Sequence, residues 1–527
     1  MSGTLPTVTM PPRSLRELLA GVAGATVHGD ENVPITGVVY DSRAAVAGSL
    51  FAALRGGYTD GHRFIIGAAE RGAVAVLAEE PLDRPPGVRA VAVVPETRAA
   101  LAQVAANFYH HPANALTIIG VTGTNGKTTT TAMTAAVLDA GGFRSASLGT
   151  VDMKLGPRSW PNPEHQTTPE SVAVQQFLRL AADDGCTHAV LEATSHGLAM
   201  HRLDALPVDV AVMTNISHEH MEFHRTFGGY LAAKRILFER LNEYPERNRP
   251  RFAVTNAEEP NAPAFLGAAQ GAIPLTYAVD TDASIRASDI REEDGTTAFT
   301  LHTPSGTAPV RLYTLGPYNV RNALAAAAVG HAQGIPPEAI AVGLAAWRNV
   351  TGHLEHIEMG QPFKVIVDFA HTPVAFAELL SLLHRTTPKP GRLIAVFGSA
   401  GERDTAKRPM QGEVTAKFAD RAYFTNEDPR FEDATDILRQ IAAGAERYGW
   451  RQDAEYFCVE DRREAIYAAV RDAKAGDTVV LIGKGHENSI IIGAEAHPWS
   501  EAEVARDALR AIGYREAVGG RRSAVGG

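Results

Sequence analysis

The chain has 527 residues, 45% hydrophobic and 21% charged, with a formal net charge of -10 and a pI near 6.0. That composition excludes a disordered or fibrous chain, and the length predicts roughly three or four domains. With no basic tail or stripe, a nucleic-acid partner held through its phosphates is disfavoured, while local positive charge can still meet small anions.

The N-terminal "MSGTLPTVTMPPRSLRELLAGVAG" has neither the basic start nor the continuous apolar core of a signal peptide, and no later run is long enough to span a bilayer. The expectation is a soluble, cytoplasmic protein without a membrane partner. Cys186 and Cys458 lie far apart and form neither a disulfide framework nor a thiolate metal motif. The Gly-rich end "AVGGRRSAVGG" reads as a frayed tail.

Up to about Pro112, short strands mix with turns, as in "ITGVVYDSRAAVAGSLFAALRGGYTDGHRFI", and the pattern breaks at "YHHPANA". This predicts a small α/β domain over 1–112. From Leu116, buried apolar runs ("LTIIGV", "THAVLEA", "VDVAVMT") alternate with helical stretches, the pattern of a parallel sheet with crossover helices, assigned to 113–350. The alternation breaks around "AAWRNVTGHLEHIEMGQPF" and resumes with "KVIVDFA", "RLIAVFG", "RAYFTNE" and "DTVVLIG", predicting a Rossmann-like α/β domain over 351–527. The polar clusters follow the ends of these runs, where open parallel sheets bind ligands, and so gather into two clefts.

After "LTIIGV" comes "TGTNGKTTTT" and then a helical stretch. Gly123 and Gly126 let backbone N–H groups of Thr124, Asn125 and their neighbours close around phosphate oxygens at a helix N-terminus. Lys127 adds a point charge, and the hydroxyls of Thr128 and Thr129 follow, Thr128 as a Mg²⁺ ligand. This predicts a nucleoside triphosphate site, although the first glycine of the longer P-loop pattern would fall at Val121. Glu192 ends "THAVLEA"; alone it reads as a cap, but beside a P-loop it is a candidate oxygen ligand for Mg²⁺. "TNISHEHMEFH" is dense enough in histidine to raise a zinc site. His220 and His224 have helix-face spacing, but Met221 stands where a zinc hydrolase needs its glutamate. Lys234 in "YLAAKRILF" is not separated from its helical neighbours by periodicity.

The shorter loop "GTNGKTT" resembles the Mur ligase and folylpolyglutamate synthetase superfamily, and the resemblance extends over nearly the whole chain. "DSRAAVAGSLFAALRG" and "DGHRFI" look like the uridine-nucleotide-binding domain of the ligases that add the third residue of the peptidoglycan stem, a domain the folylpolyglutamate synthetases lack. The resemblance implies ATP-dependent ligation of a diamino acid to UDP-N-acetylmuramoyl-L-alanyl-D-glutamate through an acyl phosphate. It implies two Mg²⁺ ions, held through Thr128, Glu192, His220 and a carbamylated Lys234, with Glu219 replacing the usual aspartate. Ser42 would contact the UDP portion, and Thr167, Thr168, Thr194 and Arg202 the muramoyl dipeptide, with Met200 where a glutamine is usual. Asn322 would lie near adenine and Asp368 near ribose, with His353 replacing an arginine.

In the C-terminal region the resemblance implies a diamino-acid site from Arg403, Glu427, Asp428, Pro429, Arg430, Gly483 and Glu487. A guanidinium can hold a carboxylate bidentately, and carboxylates can hold amines. The diaminopimelate enzymes generally read "DNPR", whose arginine grips the substrate's distal carboxylate; this chain reads "EDPR". Arg430 leans toward meso-2,6-diaminopimelate. Asp428 adds negative charge where a distal ammonium would sit, which keeps L-lysine and L-ornithine open. A folylpolyglutamate-synthetase-like ligase and a nucleotide-binding scaffold without chemistry also stay open. A monomer acting on small molecules is expected.

Overall fold

The computed structural model describes residues 6, 8–56, 59–162, 166–217, 219–244, 247, 249–293, 295–348 and 350–515. The Gly-rich end and His218 lie outside the described residues. Among the described residues, three large sheets, beside two two-stranded ones, organise the chain. The first has the order Thr26–Gly29, Ala90–Val93, Ala73–Ala78, Ser49–Ala52, Gly37–Val39, parallel apart from its first pair. The helix Thr97–Phe108 packs on it through Leu101, Val104 and Phe108.

The central sheet has eleven strands. Its middle, from Ser145–Leu148 through His188–Glu192, Thr117–Thr122, Val210–Met213, Phe252–Asn256 and Ile273–Ala278 to Ile285–Glu293, is parallel. Strands such as His188–Glu192 and Val210–Met213 are buried at every position because helices cover both faces. Antiparallel strands extend both edges: Asp152–Leu155 and Arg158–Pro161 at one, Thr296–Thr303 and Gly306–Leu312 at the other. The apolar-run pattern gives no signal for these additions. The last two strands alternate buried and more exposed residues, as one-sided strands do.

On one face, the helices Lys127–Ala140 and Pro317–Ala332 share a core with Met133, Val137, Leu324 and Val329. The alanines Ala323 and Ala325 to Ala328 are fully buried; side chains this small let the two helices approach closely and bring Asn322 against the loop at Gly126. The C-terminal sheet has the order Glu355–His356, Lys364–Asp368, Thr478–Ile482, Leu393–Phe397, Arg421–Phe424, Tyr456–Cys458 and is parallel beyond its first pair. Cys186 is buried and Cys458 exposed, both free. Among the described residues, no helix is long and apolar enough to cross a membrane.

Where the sequence suggested two clefts, the structure has one continuous cleft of about 1800 Å³. The central and C-terminal sheets meet at their strands' carboxyl ends. There His371 Nε2 lies 2.9 Å from Glu219 Oε1, and Asn125 Nδ2 reaches Thr372 Oγ1 at 3.5 Å.

Candidate active site

The loop between Thr117–Thr122 and the helix Lys127–Ala140 is shaped by its glycines. Gly123 and Gly126 have φ of 146° and 81°, and a Cβ there would overlap Thr214 Oγ1 and Asn322 Oδ1 respectively. Lys127 Nζ donates to Gly123 O at 3.1 Å and Thr124 O at 2.9 Å, folding the ammonium over the loop. Thr214 and Asn215, which open the histidine-rich stretch and have no role in the sequence reading, hold the loop from the neighbouring strand. Thr214 Oγ1 donates to Asn125 O at 2.6 Å, and Asn215 Oδ1 accepts from Asn125 N at 3.0 Å. A strand ending in hydroxyl and amide beside a Gly-rich loop was the available signal.

At the helix start, Thr128 Oγ1 donates to Glu192 Oε2 at 3.0 Å. Thr150, which sequence reasoning missed, donates to the same carboxylate from its N–H at 2.8 Å and its hydroxyl at 3.1 Å. Burial pushes Glu192 above the usual carboxylate range despite nearby Lys127. Thr129 is buried one residue on.

Lys234 is no solvated helix lysine: it is 2% exposed, with Nζ donating to Gly123 O at 2.7 Å and lying 4.6 Å from the Tyr230 ring centre. Burial, helped by the charge of Lys127, pulls its ammonium well below the ordinary value. His220 caps a short helical turn in the left-handed region, φ 59°, with its ring near Glu219 and Glu222 at 3.7 and 3.4 Å. Burial opposes both charges of the Glu219–His371 pair, but their hydrogen bond prevails, holding Glu219 below and His371 above their ordinary values. Among the described residues, no group of three or more His, Cys, Asp or Glu side chains is arranged to hold a metal ion.

Thr167, Thr168, Thr194 and Arg202 converge beside Glu192. Thr168 Oγ1 donates to Glu192 O at 2.8 Å, Thr194 Oγ1 donates to Thr168 Oγ1 at 3.0 Å, and Thr167 Oγ1 lies 3.0 Å from Thr150 Oγ1. Arg202 donates to Thr168 O at 3.0 Å and to Met200 Sδ at 3.5 Å, so the thioether takes one guanidinium hydrogen. Glu170 of "QTTPES", a residue sequence reasoning passed over, bridges Arg202 and Arg98 of the N-terminal domain at 3.0 and 2.8 Å. Ser42 begins a short turn on the N-terminal domain and is not among the residues lining the cleft.

Asn322 Oδ1 accepts from Thr130 Oγ1 at 3.3 Å. Asp368 accepts from Leu354 N and Ala370 N at 2.8 and 2.7 Å, and burial pushes its carboxyl up to about 6. Burial pushes His353 down to about 4, and its ring stacks on His486 at 5.8 Å.

At the acceptor end, Arg403 lies 3.8 Å from Glu222. Arg430 sits at φ 53°, and the backbone of Pro429 before it packs against Gly401. Arg430 Nε and Glu427 Oε2 are buried without a hydrogen-bond partner among the described residues. Gly483, φ 108°, gives Glu427 its room. The negative charge that Asp428 adds here meets a cation that sequence reasoning did not name. Asp428 Oδ1 lies 2.8 Å from Lys484 Nζ, which also lies 2.5 Å from Glu487 Oε2. Lys484 stands inside "IGKGHEN", but its partner is 56 residues away.

Three family profiles match in chain order: "Mur ligase family, catalytic domain" over 34–109, "Mur ligase middle domain" over 121–330, and "Mur ligase, glutamate ligase domain" over 352–485. The chain belongs to the Mur ligase family. Members are ATP-dependent ligases, and this one has the family's three-domain α/β fold. It is 48% identical over 508 residues to the UDP-N-acetylmuramyl-tripeptide synthetase of Roseiflexus sp. (strain RS-1), covering 95% of this chain and 99% of that protein. It is 39% identical over 502 residues to the UDP-N-acetylmuramoyl-L-alanyl-D-glutamate--2,6-diaminopimelate ligase of Geobacillus kaustophilus (strain HTA426), covering 95% and 100%. A solved structure of a UDP-N-acetylmuramoyl-L-alanyl-D-glutamate--2,6-diaminopimelate ligase superposes with a TM-score of 0.63 at 29% identity, over 95% of this chain and 99% of that one.

Proposed function

We propose that this Mur ligase uses ATP to join meso-2,6-diaminopimelate to the D-glutamyl carboxylate of UDP-N-acetylmuramoyl-L-alanyl-D-glutamate, a step of peptidoglycan precursor synthesis. In this reading residues 1–112 bind the uridine nucleotide with Ser42 in contact, 113–350 bind ATP, and 351–527 bind the diamino acid. Thr167, Thr168, Thr194 and Arg202 hold the muramoyl dipeptide.

A free carboxylate is a poor electrophile because it is anionic and lacks a leaving group; phosphorylation by ATP supplies both needs as an acyl phosphate. The backbone N–H groups of the Gly-rich loop orient the phosphates, and Lys127 counters charge on the phosphoryl oxygens in flight. Asn322 and Asp368 position the nucleoside. Thr128 and Glu192, hard oxygen donors 3.0 Å apart, suit Mg²⁺, which keeps several waters and takes one or two carboxylates. His220 and a carbamylated Lys234 are assigned to a second ion. Bound there, Mg²⁺ supplies charge neutralisation. Carbamylation needs a neutral amine to attack carbon dioxide, and the depressed Lys234 ammonium favours that form. The unprotonated amine of the diamino acid then attacks the acyl carbon, and the tetrahedral intermediate expels phosphate. ADP, phosphate and the tripeptide nucleotide leave.

The observation that carries the choice of diamino acid is the pair of unpartnered atoms at the acceptor end. A ligand whose far end holds a carboxylate and an ammonium satisfies both Arg430 Nε and Glu427 Oε2. The test is ADP release with the dipeptide nucleotide, ATP and Mg²⁺, offering meso-diaminopimelate, L-lysine and L-ornithine separately. Turnover with diaminopimelate is expected; turnover mainly with lysine or ornithine rejects this substrate. Arg430→Ala should lower kcat/KM for diaminopimelate by about a hundredfold more than for lysine, the scale for truncating one partner of a buried charge pair. Equal losses reject a distal-carboxylate role.

A further inference from the structure

Lys484 is the meeting point of two acceptor-side loops. Its side chain is 1% exposed and its ammonium is shared by Asp428 and Glu487. Burial pulls the ammonium down, but the two carboxylates outweigh that and hold it above its ordinary value. Asp428 Oδ1 also accepts the Ile491 N–H at 2.9 Å. The strand Ser489–Ile492 in turn holds the Arg430 backbone: Arg430 N donates to Ile491 O at 3.1 Å, and Gly493 N donates to Arg430 O at 2.8 Å. One carboxylate oxygen therefore ties together the buried cation, the strand and the residue that carries the free guanidinium N–H.

This arrangement decides which charges a substrate meets. With Lys484 present, Asp428 and Glu487 already have a cation between them, and the charged side chains left with an unpartnered atom beside them are Arg430, at Nε, and Glu427, at Oε2. Without it, a carboxylate that is 10% exposed would face the cleft with no cation in contact, and a ligand's ammonium would be the nearest remedy.

We propose that Lys484 is a specificity-determining positioning residue: by engaging Asp428 and Glu487 it withholds them from a substrate's terminal ammonium and leaves Arg430 to select a far-end carboxylate. The inference rests on the diaminopimelate reading above. Lys484 does not touch the substrate; it acts through Asp428 and the strand beside Arg430.

The test compares full-length wild type, Lys484→Met, Lys484→Arg and the double variant Lys484→Met/Asp428→Asn. Each is checked by circular dichroism and assayed for kcat/KM with meso-diaminopimelate and with L-lysine. Lys484→Met should lower the diaminopimelate-to-lysine ratio by about tenfold or more, the scale of one unpaired charge at a binding site. Lys484→Arg should hold the ratio, and the double variant should restore it to within about threefold, because Asp428 loses its charge with the cation and Glu487, the one carboxylate of the three-residue cluster left without it, is 38% exposed. A structural role alone would lower both substrates in proportion, and an unchanged ratio in Lys484→Met overturns the proposal. Should Lys484→Met not fold, Asp428→Asn carries the test: one negative charge leaves the cluster while Glu487 still pairs Lys484, and the ratio should rise about tenfold. No rise overturns the proposal as well. Wild-type preference for lysine would reject the substrate reading itself, before any variant is compared.

Discussion

Arg462 offers the sharpest test of how the acceptor loops are held. Its side chain is 1% exposed and pairs with Glu501, which is 0% exposed. Nε lies 3.0 Å from Glu501 Oε2 and Nη2 2.5 Å from Oε1, while Nη1 and Nη2 donate to Asn426 O and Ile482 O at 3.0 and 2.9 Å. Those carbonyls immediately precede Glu427 and Gly483, so one guanidinium clamps both loops. Arg462→Met removes the cation, leaves Glu501 with the Trp499 indole N–H, and takes a donor from each carbonyl. Removing one partner of a buried pair costs about 3–5 kcal/mol, so the C-terminal domain should lose about 4 kcal/mol, roughly a thousandfold in its unfolding equilibrium. Urea unfolding followed through the fluorescence of Trp499, which bonds Glu501, reads this locally once Trp160, Trp347 and Trp450 are replaced by Phe in every protein compared. Arg462→Met/Glu501→Met should recover most of the loss, since a buried pair replaced by apolar side chains is often neutral. Under conditions where Arg462→Met stays folded, KM for the diamino acid should rise more than KM for ATP. A loss below about 1 kcal/mol, with the double variant no better than the single, would refute the clamp.

Gly126→Ala forces a Cβ into Asn322 Oδ1 at a left-handed position, so KM for ATP should rise about tenfold or more in steady-state ADP release; an unchanged KM would mean the loop does not cradle the nucleotide. Lys234→Ala should abolish turnover, with partial rescue by acetate or formate, and intact-protein mass spectrometry under bicarbonate should find one added carbon dioxide in wild type and not in the variant. Retained activity would dismiss the carbamate. Asp368 has its carboxyl raised by burial to about 6, so it loses its charge as pH falls through that value. If it accepts a ribose hydroxyl, KM for ATP should rise below pH 6 in wild type and stay flat in Asp368→Asn.

The nucleotide loop was legible in the sequence because its determinants are local. A buried strand, two glycines at φ above zero, a lysine and a helix start lie within a dozen positions, and backbone sterics favour that turn before any tertiary partner is added. The parallel α/β class was legible for a similar reason: fully buried apolar runs alternating with helical stretches can be covered only by crossover helices. The antiparallel strands at both edges of the central sheet were not, since their half-buried alternation matters only once a neighbouring edge exists to receive them.

What the sequence could not decide was which charges meet. Asp428 read as an added negative charge with no partner named, Lys234 was not separated from its helical neighbours by periodicity, and Glu170 stood unremarked within a threonine motif. In the folded chain Asp428 meets Lys484, Lys234 lies under Gly123, and Glu170 joins Arg98 to Arg202. The sequence by itself determined the loop, the layered fold and the residue types available to each strand end, because these follow from short-range sterics and apolar periodicity. Only the tertiary structure decided the partners of those residues and, for Lys234, the burial that pulls its ammonium down. Desolvation and Coulomb attraction depend on which loops pack together in space, and separations of 32 to 111 residues carry no such information along the chain.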